Sequence, residues 1–224
     1  MERNYKYLES LSIKSLLMST KKHSIIFILI IFCSCNSYKT ETTEELRNIF
    51  TNREIKDINR LVDFFETRMN SNKHNLNDKY KHWIISNSNI EDDTWEKFNL
   101  KDLLQVYKKI DSTTFNEIWQ FNEMRYLETK DTLSYLNLAY EKKYHQYLVE
   151  LGKKSKKMEW YANKAYQSGD LPQLMDLHNL FITVDTINES PKIQPNYDFN
   201  ERVLITISSI KHYDNYHRKE KFRK

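Results

Sequence analysis

Apolar residues recur at helical spacing along most of this chain. In TNREIKDINRLVDFFETRM the positions Ile55, Ile58, Leu61, Val62, Phe65 and Met69 follow one another at intervals of three, three, one, three and four. At 3.6 residues per turn they gather on one side of a helix, and Thr51 with Glu54 has the spacing of a capping box that opens it. A shorter helix is predicted over 76–85, with Leu76, Tyr80, Trp83 and Ile84 inward, before SNSNIEDDT interrupts. Residues 95–127 are apolar and aromatic on more than one side and read as two helices broken near DSTT. Leu133, Leu136, Tyr140, Tyr144, Tyr147 and Leu151, spaced three, four, four, three and four, predict a helix that stops near Gly152.

Met158, Tyr161, Ala162 and Ala165 continue the helical period up to YQSGDLP. There Gly169 suits a C-terminal cap, Asp170 an N-cap and Pro172 the first turn of the next helix. That second arm would carry Leu171, Leu174, Met175, His178, Phe181 and Ile182 on one face. YANKAYQSGDLPQLMDL is similar to helix pairs of tetratricopeptide-like and J-domain-associated helical proteins, a resemblance that covers about seventeen residues and implies an antiparallel helical hairpin. No His-Pro-Asp tripeptide and no repeat of about 34 residues accompanies it, so neither co-chaperone activity nor a solenoid is implied. Residues 183–197, with Pro191 and Pro195, read as a loop. Asp198 and Glu201 form a second capping box that opens a final helix, although Val203 to Ile207 is β-branched enough for a strand. The expected fold is all-α: a single compact multi-helix domain of antiparallel helical hairpins over residues 43–224.

The amino-terminal region follows another logic. Residues 25–33 are uncharged and apolar behind Lys21, Lys22 and His23. Nine residues of helix rise about 14 Å, against a hydrocarbon core of about 30 Å, so a basic flank and a short apolar block read as a secretory signal. The block ends in Phe32, Cys33, Ser34, Cys35, which resembles a bacterial lipoprotein signal. The resemblance implies cleavage after Ser34 and lipidation of Cys35. It departs from the commonest pattern at Phe32, where Leu prevails, although relaxed versions are familiar in lipoproteins resembling those of the Bacteroidota, a group that the richness in Asn, Lys, Ile and Tyr also resembles. Cleavage before Cys33 would set Phe32 in the small position. The alternative is a plain hydrophobic segment with two incidental thiols, which the flanks disfavour. Residues 1–34 are therefore expected to be a signal peptide, with Met18 the better start and 1–17 an annotation artefact. Residues 35–42 follow as a lipidated tether, and CNSYKTE carries no acid before Glu41. The implied location is the cell membrane or outer membrane, lipid-anchored and facing the periplasm.

Removing the leader changes the charge. The chain carries a formal +4, of which Arg3, Lys6, Lys14, Lys21 and Lys22 against Glu2 and Glu9 supply +3. The remainder is nearly balanced, which argues against non-specific nucleic-acid binding. Both cysteines lie at the leader boundary, so the mature chain has no internal disulfide, thiolate zinc site or redox pair. Two glycines, Gly152 and Gly169, exclude GxGxxG, Walker and GxSxG loops.

Candidate chemistry is sparse, and no catalytic residue, cofactor or metal is expected. His178 lies on an apolar stripe where burial would lower its pKa and suit a base; a core histidine bonded to a neighbour has the same pattern. Glu141 and His145, four apart, have the spacing of a metal pair or of a surface helix pair. Glu91, Asp92 and Asp93 suit a helix start, and His212 and His217 are five apart and would not share a helical face. GKKSKKMEW and the tail HRKEKFRK are basic clusters with the chemistry to orient a domain on anionic lipid. With thirteen tyrosines and four tryptophans in the mature chain, some aromatics must be exposed. The expected role is a lipid-anchored envelope protein that binds or scaffolds another envelope protein, including toxin neutralisation in the manner of an immunity protein. The alternative is an envelope hydrolase using His178 or the Glu141/His145 pair.

Overall fold

In the computed structural model the chain divides into two units, Met1–Lys39 and Thr40–Lys224, and the described residues belong to the second. They are 40–221 without 70–72, 74, 87–94, 126–131, 186–189 and 195. The leader with Ser34 and Cys35, and the acidic run 91–93, lie outside them.

Among the described residues the fold is mostly helical, with two small antiparallel strand pairs. In chain order the elements are α1 (Glu44–Ile49), α2 (Asn52–Arg68), α3 (Leu76–Ser86), α4 (Leu100–Tyr107), α5 (Ser112–Ile118), β1 (Trp119–Arg125), β2 (Thr132–Leu138), α6 (Lys143–Gly152), α7 (Lys156–Ser168), α8 (Leu174–Phe181), β3 (Ile182–Asp185), β4 (Ser190–Ile193) and α9 (Phe199–Lys221). No helix among the described residues is long and apolar enough to cross a membrane.

Local chemistry sets most of the boundaries. At α2 the expected capping box forms: Glu54 N donates to Thr51 Oγ1 and Thr51 N to Glu54 Oε2 (2.7 Å). Asn99, Asp111 and Ser155 cap α4, α5 and α7 with their side chains. Gly169 ends α7 at φ 66°, a left-handed conformation that glycine adopts without steric cost. Asp198 and Glu201 cap α9 reciprocally, each bond 2.9 Å.

α9 organises the core. Val203, Leu204, Ile205, Ile207 and Ile210 are buried together with Thr206, Ser208 and Ser209, so this stretch is enclosed on every side, as a central helix must be. Its two serine hydroxyls are used: Trp83 Nε1 donates to Ser209 Oγ (3.2 Å) and Tyr161 shares a 2.7 Å bond with Ser208. Around it, Phe65, Trp83, Trp95 and Tyr213 pack with ring centroids 4.8, 4.4 and 5.3 Å apart in turn, the offset and edge arrangements that aromatic quadrupoles favour.

A buried polar clip holds α1 against α6 and α9. Asn200 Oδ1 accepts from Thr43 Oγ1 (2.6 Å) and Tyr147 OH (2.8 Å), while Asn200 Nδ2 donates to Glu45 Oε2 (2.7 Å). Glu45 also pairs with Lys154.

The strands correct the all-α expectation. β1 and β2 pair with Trp119 opposite Leu138 and Phe121 opposite Leu136, so the second helix expected before Leu127 ends at Ile118, and the helix expected from Leu133 begins only at Lys143. Leu133 and Leu136 are both buried, although an odd interval puts them on opposite faces of a strand. A strand covered on both faces thus mimics the three-residue step of a helix. Its outer edge is closed by side chains: Leu136 N donates to Asn215 Oδ1 (2.6 Å), Asn215 Nδ2 to Leu136 O (2.8 Å), and Leu138 N to Asp170 Oδ1 (3.1 Å). Asp170 is therefore no N-cap, and α8 starts after Pro172 with Gln173 as its cap. The expected loop 183–197 contains the pair β3–β4, whereas Val203 to Ile207 is helical.

Candidate functional site

The surface of α6, α7 and α8 carries the most distinctive side chains. α6 and α7 approach closely because a Cβ on Gly152 would lie 3.2 Å from Glu159 Cα. Between them runs a groove of about 530 Å³ lined by Val149, Gly152, Lys153, Glu159, Ala162 and Asn163. One helical turn along, His145, Tyr140 and Tyr166 form a three-ring cluster: His145 lies 5.0 Å from Tyr140 and 5.5 Å from Tyr166, at interplanar angles of 26° and 13°, and the two tyrosines are 5.8 Å apart. Tyr166 is 56% exposed, Met175 51%, Val149 46% and Trp160 44%. Trp160, Asn163 and Tyr166 recur every three residues on the outer side of α7, and Lys164 lies 5.2 Å from the Trp160 ring centroid.

His145 itself is 6% exposed, and its Nε2 has no hydrogen-bond partner among the described residues. Burial lowers its proton affinity, opposed by the weaker attraction of Glu141. The spacing argument for this pair fails on geometry. Glu141 stands in the turn before α6 at φ 61°, so the two do not share a helical face. His178 is held structurally, with Nδ1 2.8 Å from Ile84 O, joining α8 to α3.

A second cavity, about 700 Å³, opens where α7, α8 and α9 meet; its lining includes Lys164, Asp170, Asp176, Lys211 and His212. Its charges are mutually satisfied: Lys211 pairs with Asp170 and Lys164 with Asp176. His212 Nε2 lies 3.1 Å from Pro172 O. Burial, reinforced by the Lys211 charge, pushes its pKa down to about 4. Such a site has no nucleophile beside a free base and no uncompensated charge to draw a ligand. His217 packs on Tyr213, centroids 4.1 Å apart. Among the described residues no three His, Cys, Asp or Glu side chains converge on a point where a metal would sit.

Of the basic clusters conspicuous in sequence, three cations are paired with acids, and Arg223 and Lys224 lie outside the described residues. Lys153 pairs with Glu150 and Lys154 with Glu45. Arg218 grips Asp214 through two bonds of 2.6 and 2.8 Å, its guanidinium 4.9 Å from the Phe121 ring centroid. Sequence reading missed a different group: Arg53, Lys56 and Arg60 on α2 with Lys109 from the turn after α4, around a depression of about 380 Å³. The spacing of the three α2 residues, opposite the apolar stripe, was the signal. The cluster of Tyr140, His145 and Tyr166 joins separate elements and left no such trace. Compared with protein-family models, curated proteins and solved structures, the chain matches none.

Proposed function

We propose that this chain is a lipid-anchored protein of the cell envelope that binds or scaffolds another envelope protein through the surface of α6, α7 and α8. The observation that carries this reading is the set of exposed apolar side chains Val149, Trp160, Tyr166 and Met175 on these three helices, Val149 lining the α6–α7 groove and Met175 the second cavity. Rigid aromatics lose little entropy on docking and bury large area, which is why tryptophan and tyrosine dominate binding hot spots. Neutralisation of a toxin in the manner of an immunity protein is one form such binding takes. The anchor is Cys35, after cleavage behind Ser34, with the domain facing the periplasm.

Two experiments test the reading. Palmitate labelling in cells is expected to vanish with Cys35→Ala and persist with Cys33→Ala; labelling that survives Cys35→Ala refutes the anchor. Crosslinking in intact cells is expected to recover a discrete protein adduct that Trp160→Ala with Tyr166→Ala abolishes at unchanged thermal stability. An adduct indifferent to both substitutions refutes the surface.

A further inference from the structure

The basic group on α2 has a geometry that the protein-binding surface does not explain. Arg53, Lys56 and Arg60 stand at i, i+3 and i+7, the outward face of a helix whose other side carries Ile58, Leu61 and Phe65 into the core. Lys108 and Lys109, just beyond α4, extend the group, tied to it by Arg60 Nη1 donating to Lys109 O (3.4 Å). Within this group there are two acids: Asp57, which pairs with Arg60, and Asp111, which pairs with Arg53. Asp57 is moreover occupied in the fold, accepting from Asp111 N and Thr114 Oγ1 at 2.9 Å each. The exposed ammonium groups of Lys56, Lys108 and Lys109 have no acidic partner among the described residues. Five cations against two acids leave a local excess of +3, on a chain whose charge beyond the leader is almost balanced.

The same helix receives the tether. Glu41 N donates to Asn59 Oδ1 and Asn59 Nδ2 to Glu41 O, both at 2.8 Å. The chain thus enters the domain one residue from Arg60 and three from Lys56. Thr40 is five residues on from Cys35, a reach of at most about 18 Å when fully extended.

We infer that the Arg53–Lys56–Arg60 stripe, with Lys108 and Lys109, docks on anionic lipid headgroups and sets the orientation of the anchored domain. This rests on the Cys35 anchoring proposed above. The length of the tether keeps the entry point near the leaflet but does not select which face of the domain turns toward it. Cations within a Debye length of a negative surface, about 8 Å at physiological salt, single out one pose. The headgroup phosphates need no pocket, since lysine acts on them as a point charge. The pose leaves attachment to acyl chains and orientation to the stripe, so the domain presents a fixed face to partners.

Acylated protein purified from membranes is reconstituted into vesicles of phosphatidylcholine alone or with phosphatidylglycerol, then labelled with an amine-reactive reagent and read residue by residue by mass spectrometry. On anionic vesicles labelling of Lys56, Lys108 and Lys109 is expected to slow about fivefold, the factor equivalent to one basic residue at an anionic leaflet, while Lys81 and Lys157 keep their rates. High salt removes the difference, and Lys56→Glu weakens the protection of Lys108 and Lys109. Equal labelling on both vesicles overturns the inference and leaves the anchor standing. Membrane-purified protein without acyl chains on Cys35 overturns the anchor and the orientation with it. A Lys56-dependent mobility shift with duplex DNA at physiological salt, without lipid protection, assigns the stripe to nucleic acid instead.

Discussion

The buried clip around Glu45 makes a quantitative prediction. Burial raises the pKa of this carboxyl, but bonds from Lys154 and Asn200 outweigh that effect and bring it from 4.5 to about 2. A carboxylate favoured in the folded state stabilises it fully above the unfolded value and progressively less as pH falls toward the folded one. The full difference corresponds to about 3 kcal/mol at neutral pH. Lys154 is 56% exposed, so screening reduces this to about 2 kcal/mol. Glu45→Gln keeps the acceptor for Asn200 Nδ2 and removes only the charge. Urea denaturation followed by tryptophan fluorescence is expected to show the variant less stable by about 2 kcal/mol at pH 7, by about 1 at pH 3, and by nothing measurable near pH 2. An equal loss at all three values would show that shape rather than charge holds the clip, and would refute the reasoning.

Other consequences follow from particular contacts. Gly152→Ala gains helix propensity but drives a Cβ toward Glu159 Cα at 3.2 Å, so a net loss of about 1 kcal/mol is expected by denaturation; a gain would mean the helices part freely. His212, with its pKa depressed to about 4, must be neutral in the fold, so stability falls as pH drops from 6.5 toward 4. His212→Gln is expected to lessen the decline between pH 7 and 5 by about 1–2 kcal/mol in a pH series of denaturation curves. Trp83→Ala empties a fully buried site beside Phe65 and Trp95 and is expected to lower stability by about 3–5 kcal/mol, visible as a much lower melting temperature in calorimetry.

Helices whose caps and apolar faces are local were legible in the sequence. Thr51–Glu54, Asp198–Glu201 and Gly169 do in the structure what their residue types dictate, because a cap needs only residues a turn apart. β1 and β2 were not legible, since their existence depends on Asn215 and Asp170 supplying edge partners from 79 and 32 residues away. Burial on both faces of β2 then erased the alternation that marks a half-exposed strand, and β1, exposed on both faces beyond Trp119, shows no alternation either. The same limit governs the candidate surface. The cluster of Tyr140, His145 and Tyr166 draws on a turn and two helices, and no spacing rule joins residues across elements. The α2 stripe, by contrast, lies on one helix and is marked by its spacing; the contiguous lysines of GKKSKKMEW are more conspicuous in sequence, yet two of them pair with Glu150 and Glu45.

Binding through the α6–α8 surface is the central claim, and a photo-crosslinking amino acid placed by turns at positions 160, 166 and 101 tests it most directly. In intact cells positions 160 and 166 are predicted to give the same discrete protein adduct, and position 101, exposed on α4, none. Adducts absent from 160 and 166, or equal at all three positions, would contradict it.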